Sequence, residues 1–241
     1  MIQQMLANVD PAIASDTPPK AIIAPHAGYI YSGPVAASAY ASLRPAASTI
    51  SRVILLGPAH RVPVRGLALP ASDAFATPLG TVEIDRNAVE QIRGLPQVRT
   101  FDDAHALEHS LEVHLPFLQS VLGEFRLLPL VVGDATAEEV ADVLEQLWGG
   151  PETLIVISSD LSHYHDYQTA QRMDTETSAA IEHLDFEEIN FDQACGRTPV
   201  SGLLLLARKR GLKGTTIDLR NSGDTAGPRD QVVGYGAYVF H

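Results

Sequence analysis

At 241 residues the chain is long enough for one substantial core, and its 45% hydrophobic, 19% charged and 6% aromatic content belongs to a globular protein rather than a disordered one. A formal charge of −12, from 29 acidic against 17 basic side chains with no basic run, argues against nucleic acid and anionic membrane surfaces as partners. One cysteine excludes an internal disulfide, residues 1–20 carry no export signal, and no segment approaches the roughly 20 apolar residues of a bilayer span, so the expected location is cytoplasmic.

Taken in chain order, apolar and β-branched runs at 21–24, 53–56, 127–132 and 154–157 predict fully buried strands, because none alternates with polar residues. Helical patterns lie between and after them, at 34–43, 86–92, 110–122, 137–148, 169–183 and 200–210. Asp134 to Thr136 supply N-cap oxygens for the helix bearing Glu138 and Glu139. Residues 66–85 predict a hairpin-like excursion, with strand pieces at 67–69 and 82–84 around the turn Thr77-Pro78-Leu79-Gly80. Two more strands, 215–219 and 232–240, flank a polar loop at 221–230. Alternation of strand and helix implies parallel pairing through crossovers, and with no repeat and no low-complexity linker the expectation is one α/β domain over residues 1–241.

In open α/β sheets ligands bind beyond the carboxyl ends of the strands. Three histidines follow buried runs there: His26 in Pro25-His26-Ala27-Gly28-Tyr29, His60 in Gly57-Pro58-Ala59-His60, and His163 after Ser158-Ser159-Asp160-Leu161-Ser162. Singly, each reads as an ordinary hydrogen-bonded loop or core histidine. Together at one sheet edge they point to metal binding, proton transfer or both. Cys195 precedes a helix start marked by Thr198 and Pro199, where the helix dipole favours a thiolate; its plainer reading is a small buried hydrophobe. Glu108 to Pro116 adds two histidines and two carboxylates. His105 and His109 stand four apart and imitate a zinc motif, but Asp102-Asp103 reads as loop and no Glu follows His105 directly. His165, His183 and His241 read as solvated.

These segments, in this order, resemble the Memo family, whose bacterial and archaeal members are described as protein B of the AmmeMemoRadiSam system. The resemblance runs through Ala24 to Tyr29, Leu56 to His60, Thr77-Pro78-Leu79, Glu108 to Pro116, Ser158-Ser159-Asp160 with His163, Ile181 to Asp185, and Cys195-Gly196-Arg197 with Pro199. It implies a fold similar to class III extradiol dioxygenases, a three-layer α/β/α sandwich with a mostly parallel central sheet. In those enzymes two histidines and a carboxylate hold Fe(II). The resemblance implies that His26 and His60 are the imidazole ligands of one transition metal ion, with Cys195 where the carboxylate would be. A thiolate is softer and more oxidisable than a carboxylate, which shifts preference towards Cu or Zn; with the kinship to Fe(II) enzymes, the expected ion is Fe(II) or Cu, with Zn as an alternative. It also implies His163 as acid/base group, Asp160 as its partner and His109 as a second pocket histidine. The chain departs from the family pattern in lacking a His-Ala-Gly-Ser-Trp-Tyr-like run before Pro25 and in carrying Arg61 after His60. The expected functions, in order, are a metal-dependent oxidoreductase related to the dioxygenases, a non-catalytic peptide- or protein-binding module, and a zinc hydrolase. A radical-SAM enzyme and an AMMECR1-type protein are the functional associates the resemblance implies.

Overall fold

The computed structural model describes residues 1–13 and 17–241. Helix α1 (Ile2–Ala7) leads into strand β1 (Ala21–Ala24), helix α2 (Gly33–Ala41) and strand β2 (Arg52–Pro58). Short pieces follow: β3 (Leu67–Leu69), β4 (Ala74–Thr77), β5 (Gly80–Glu83), α3 (Arg86–Ile92), β6 (Val98–Thr100) and α4 (Asp103–Ala106). A 3-10 turn at Glu112–His114 opens into α5 (Leu115–Leu122), after which β7 (Arg126–Val132), α6 (Ala137–Gln146) and β8 (Thr153–Ser158) alternate. The chain ends with β9 (His163–His165), α7 (Tyr167–His183), α8 (Arg197–Arg210), β10 (Gly214–Asn221) and β11 (Val232–Phe240).

The main sheet runs β10-β11-β1-β8-β2-β7-β3-β6, with β9 paired to β11. Its centre, β1-β8-β2-β7, is all parallel, and β11 and β3 add antiparallel pairings on either side. Parallel neighbours cannot be joined by tight turns, so helices must cross the sheet faces. The chain moves one way from β1 through α2 to β2 and through α5 to β7, then reverses through α6 to β8. With right-handed crossovers that reversal puts α6 on the face opposite α2 and α5. Helix α8 packs against α6, and the result is the three-layer α/β/α arrangement expected of the sequence. Covered on both faces, the central strands have no need of polar alternation: every residue of β1 and β8 is buried.

Several boundaries move for local reasons. The helix expected over 110–122 begins only at Leu115, since Pro116 lacks an N–H and fits only in the first turn. The preceding N–H groups of His109 and Ser110 are taken by the Glu108 carboxylate. Leu67–Leu69 is not part of a hairpin excursion: β3 joins the main sheet between β7 and β6, and the hairpin is β4 with β5. Helix α6 carries a full capping box from Thr136 and Glu139. Strands β6 and β9, three residues each, are too short for periodicity to reveal.

The start of α8 presses on the end of β8 through Gly196. A Cβ there would lie 2.4 Å from the Ser158 carbonyl oxygen and 2.6 Å from Ser159 Cβ, so only glycine lets Cys195 reach the strand end. Gly196→Ala is expected to lower unfolding free energy by about 1–3 kcal/mol with an unchanged denaturant slope. Urea denaturation followed by circular dichroism checks this; a stability equal to wild type would show that the contact yields freely.

Candidate metal centre

Because β8 lies between β1 and β2, the carboxyl ends of three parallel strands stand side by side. His26 follows β1, Asp160 follows β8 and His60 follows β2, so backbone topology alone places them at one edge. A fourth group arrives from elsewhere: His109, on the loop before α5. The ligand nitrogens of His26, His60 and His109 lie within 4.8 Å of one another. The His26 ring centroid is 5.2 Å from that of His60 and 5.6 Å from that of His109, and the His60 and His109 rings stack at 5.1 Å.

For His26 and His60 the outward nitrogen is matched by an anchored inward one. His26 Nδ1 is 2.6 Å from Ser158 Oγ, and His60 Nδ1 is 2.9 Å from Glu108 Oε1. Glu108 also accepts from the backbone N–H of His60 at 2.6 Å and from those of His109 and Ser110, each at 3.0 Å. Burial alone would raise this carboxyl, but the donors from His60 and Ser110 outweigh it and hold Glu108 down at about 2. An ionised carboxylate behind an imidazole orients the ring and increases its basicity towards a metal. His26 is buried, and burial, followed by the neighbouring His60 and His109, keeps it well below the ordinary histidine value. It is therefore neutral, the form that ligates.

Cys195 Sγ lies 3.4 Å from His26 Nε2 and 3.3 Å from the Asp160 N–H that donates to it. Of the two readings of Cys195, dipole-favoured thiolate and small buried hydrophobe, the geometry without an ion gives a protonated thiol. Burial, and then the Asp160 carboxylate, push the thiol up to about 12, outweighing the helix end. A bound cation would reverse that balance, since a coordinated thiol loses its proton. Asp160 accepts from the His26 backbone N–H at 2.8 Å, and burial raises its carboxyl above the usual aspartate value. Its Oδ1 is thus used on the His26 loop. His163, half-buried on β9, shares the cleft, a space of about 580 Å³ also lined by Arg61, Tyr164, His165 and Phe191. His165, expected in solvent, is half-buried at this wall. His105 turns away to the Ala68 carbonyl, and α4 stops at Ala106, so His105 and His109 share no helical face.

Sequence reasoning singled out none of Glu108, Ser158, His114 or Tyr40 as functional. Glu108 stood beside His109 as one more carboxylate, with nothing local to show that it faces a histidine 48 positions away. Ser158 had the same strand-end signal as the histidines. The convergent donor set suits a transition metal: three imidazoles, those of His26 and His60 fixed from behind, with the Cys195 sulfur beside His26 and an open cleft in front.

Fold and donor set together define a three-layer α/β/α protein with a histidine-rich centre at the carboxyl edge of its sheet that can hold a metal ion. The family model described as Memo-like protein matches residues 1–239, and the chain belongs to that family. It is 40% identical over 233 residues to a MEMO1 family protein of Aquifex aeolicus, covering 92% of this chain and 86% of the relative. It is 39% identical over 240 residues to one of Aeropyrum pernix, covering 90% and 82%. Among solved structures, uncharacterized protein JW3007 from Escherichia coli K12 shares the fold, with a TM-score of 0.52 at 15% identity over 91% of this chain and 98% of that one.

Glu108 makes the centre sensitive to acid. A depressed folded-state carboxyl contributes stability that is complete above the unfolded value of about 4.3 and is lost as pH falls through about 2. In metal-free protein, Glu108→Gln is expected to flatten stability against pH across that window relative to wild type. Urea titrations at stepped pH measure it, and parallel curves for the two proteins would refute the assignment.

Proposed function

We propose that the chain is a mononuclear metal-dependent oxidoreductase acting on a small molecule. His26, His60 and Cys195 serve as ligands as the family resemblance implies, with His109 joining them on its position. The observation that carries this reading is the approach of three imidazoles to within 4.8 Å of one another, with the Cys195 sulfur 3.4 Å from His26 Nε2. An Fe(II) or Cu ion bound there would supply Lewis acidity and one-electron chemistry. The protein's own groups do the rest. Glu108 and Ser158 orient the rings, His163 exchanges a proton with substrate at the cleft wall, and Asp160 holds the His26 backbone and, as the resemblance implies, supports the hydrogen-bond network around His163. A cleft of about 580 Å³ suits a small substrate. A radical-SAM enzyme and an AMMECR1-type protein remain the proposed associates, supported by the resemblance alone.

A second reading, recognition of a peptide or protein at the same cleft, is favoured by two aromatic side chains at the rim. Tyr164 is 71% exposed and Phe191 64%.

Metal content by ICP-MS on untagged protein, before and after reconstitution with Fe(II), Cu or Zn, tests the centre. The wild type is expected to hold about one ion per chain. His26→Ala and His60→Ala should abolish binding, and His109→Ala and Cys195→Ser should weaken it roughly 10- to 100-fold, the scale of losing part of a ligand shell. A wild type that binds nothing after reconstitution overturns the metalloenzyme reading and leaves the binding module. For chemistry, His163→Ala should keep its metal and lose about 10²- to 10⁴-fold in oxygen-consuming turnover across a small-substrate screen. Turnover that persists without oxygen would instead favour a zinc hydrolase.

A further inference from the structure

Beneath His26 the structure holds a buried chain of polar groups that continues from Ser158 through His114 to Tyr40. Ser158 Oγ lies 2.6 Å from the Ser110 carbonyl oxygen, 2.6 Å from His26 Nδ1 and 2.8 Å from His114 Nε2. His114 Nδ1 lies 2.7 Å from the Tyr40 hydroxyl. Ser158, His114 and Tyr40 are all buried, at 0% exposure.

The protons in this chain can be assigned by counting. Two oxygens 2.6 Å apart need a hydrogen between them, and a carbonyl has none, so the Ser158 hydroxyl donates to Ser110. That uses its only hydrogen. Both imidazole nitrogens on Ser158 Oγ must then be donors: His26 through Nδ1–H and His114 through Nε2–H. A neutral His114 is left with a bare Nδ1, which accepts from the Tyr40 hydroxyl, a group with a hydrogen to give. With both rings neutral, as full burial without a counter-charge favours, no other assignment satisfies all four contacts. Its consequence lies on the other side of the His26 ring: with Nδ1 protonated, neutral His26 has its lone pair at Nε2, the nitrogen facing Cys195 Sγ and the cleft.

We propose that Ser158 and His114, anchored by Tyr40, are positioning residues that hold His26 as its Nδ1–H tautomer and so present the Nε2 lone pair to the cleft before an ion arrives. A free histidine side chain favours the opposite tautomer modestly and rotates readily; here ring angle and tautomer are both set within the fold. His60 receives the same treatment from a carboxylate, Glu108, so the two ligands are preorganised by different chemistry. A charged acceptor serves the half-exposed ring and a neutral hydroxyl serves the buried one, where an unpaired charge would cost most. The inference rests on the metal-centre reading for its purpose, but not for its observable.

The test uses 15N-histidine-labelled, metal-free full-length protein. In a neutral imidazole the protonated and bare nitrogens resonate far apart, so a long-range 1H–15N spectrum reads each tautomer directly. His26 in wild type is expected as a single Nδ1–H species. Ser158→Ala should convert it to a mixture and weaken metal binding about 10- to 100-fold in a chelator competition. Ser158→Thr, which keeps the hydroxyl, should restore both, and Tyr40→Phe should shift His114 first and His26 less. Thermal melts confirm that each variant is folded. An Nε2–H His26 in wild type, or a folded Ser158→Ala that leaves tautomer and affinity unchanged, would overturn the proposal. A locked tautomer in a protein that binds no metal would uphold the lock and refute the metal-centre reading. Normal metal binding by a protein whose tautomer ignores Ser158 would do the reverse.

Discussion

When β8 returns to fill the gap between β1 and β2, three parallel strands are made to end side by side, and the side chains leaving them converge without any long loop having to reach across. The helices that join parallel strands must lie on the sheet faces, which leaves the carboxyl edge open. The segment carrying Glu108, His109 and Ser110 then closes over that edge. It can do so because Gly57 has no side chain: a Cβ there would stand 2.8 Å from Ser110 Oγ, which instead donates to the Pro58 carbonyl at 2.8 Å. Two strand-end histidines from either side of β8 and one from a distant loop thereby meet.

The polar groups around this edge divide into two sets. Those facing the core are satisfied by protein: Glu108 by four donors, Ser158 by three partners and His114 by two. Leaving any of them unpaired in an apolar interior would cost about 1–3 kcal/mol. Those facing the cleft, the outward nitrogens of His26, His60 and His109 and the sulfur of Cys195, have weaker partners or none so well placed. His26 Nε2 has only a 3.4 Å contact to sulfur and a 3.9 Å approach to Asp160 Oδ2. A structural polar cluster would be satisfied on both sides. This one is satisfied from behind and open in front.

Cys195 shows how tertiary surroundings change a local reading. A cysteine before a helix start reads as a favoured thiolate, and Gly196 does stand at the N-cap of α8. The same helix end, however, is driven against β8, where burial and Asp160 oppose the charged form. Dipole stabilisation is a small term that fades within a turn, and desolvation is a large one. The thiol is thus held protonated rather than poised as a free nucleophile, and in the proposed centre it would ligate only by losing that proton to a bound cation.

The central strands were legible in the sequence because full burial leaves an unbroken apolar run, and the residues directly after each run were legible because a strand end is a local event. His26, His60 and Asp160 belong to that class. The pairing of Leu67–Leu69 into the main sheet, the late start of α5, the approach of His109 and the roles of Glu108, Ser158, His114 and Tyr40 do not. Each depends on which distant element lies alongside: His114 meets Ser158 across 44 positions and Glu108 meets His60 across 48. Composition and periodicity report how a residue relates to its neighbours along the chain, and by themselves they determined an α/β sheet with histidines at one edge. Which nitrogens are anchored and which are free was decided only when folding brought those distant donors and acceptors to within hydrogen-bonding distance, because a hydrogen bond is set by separation in space and not by separation in sequence.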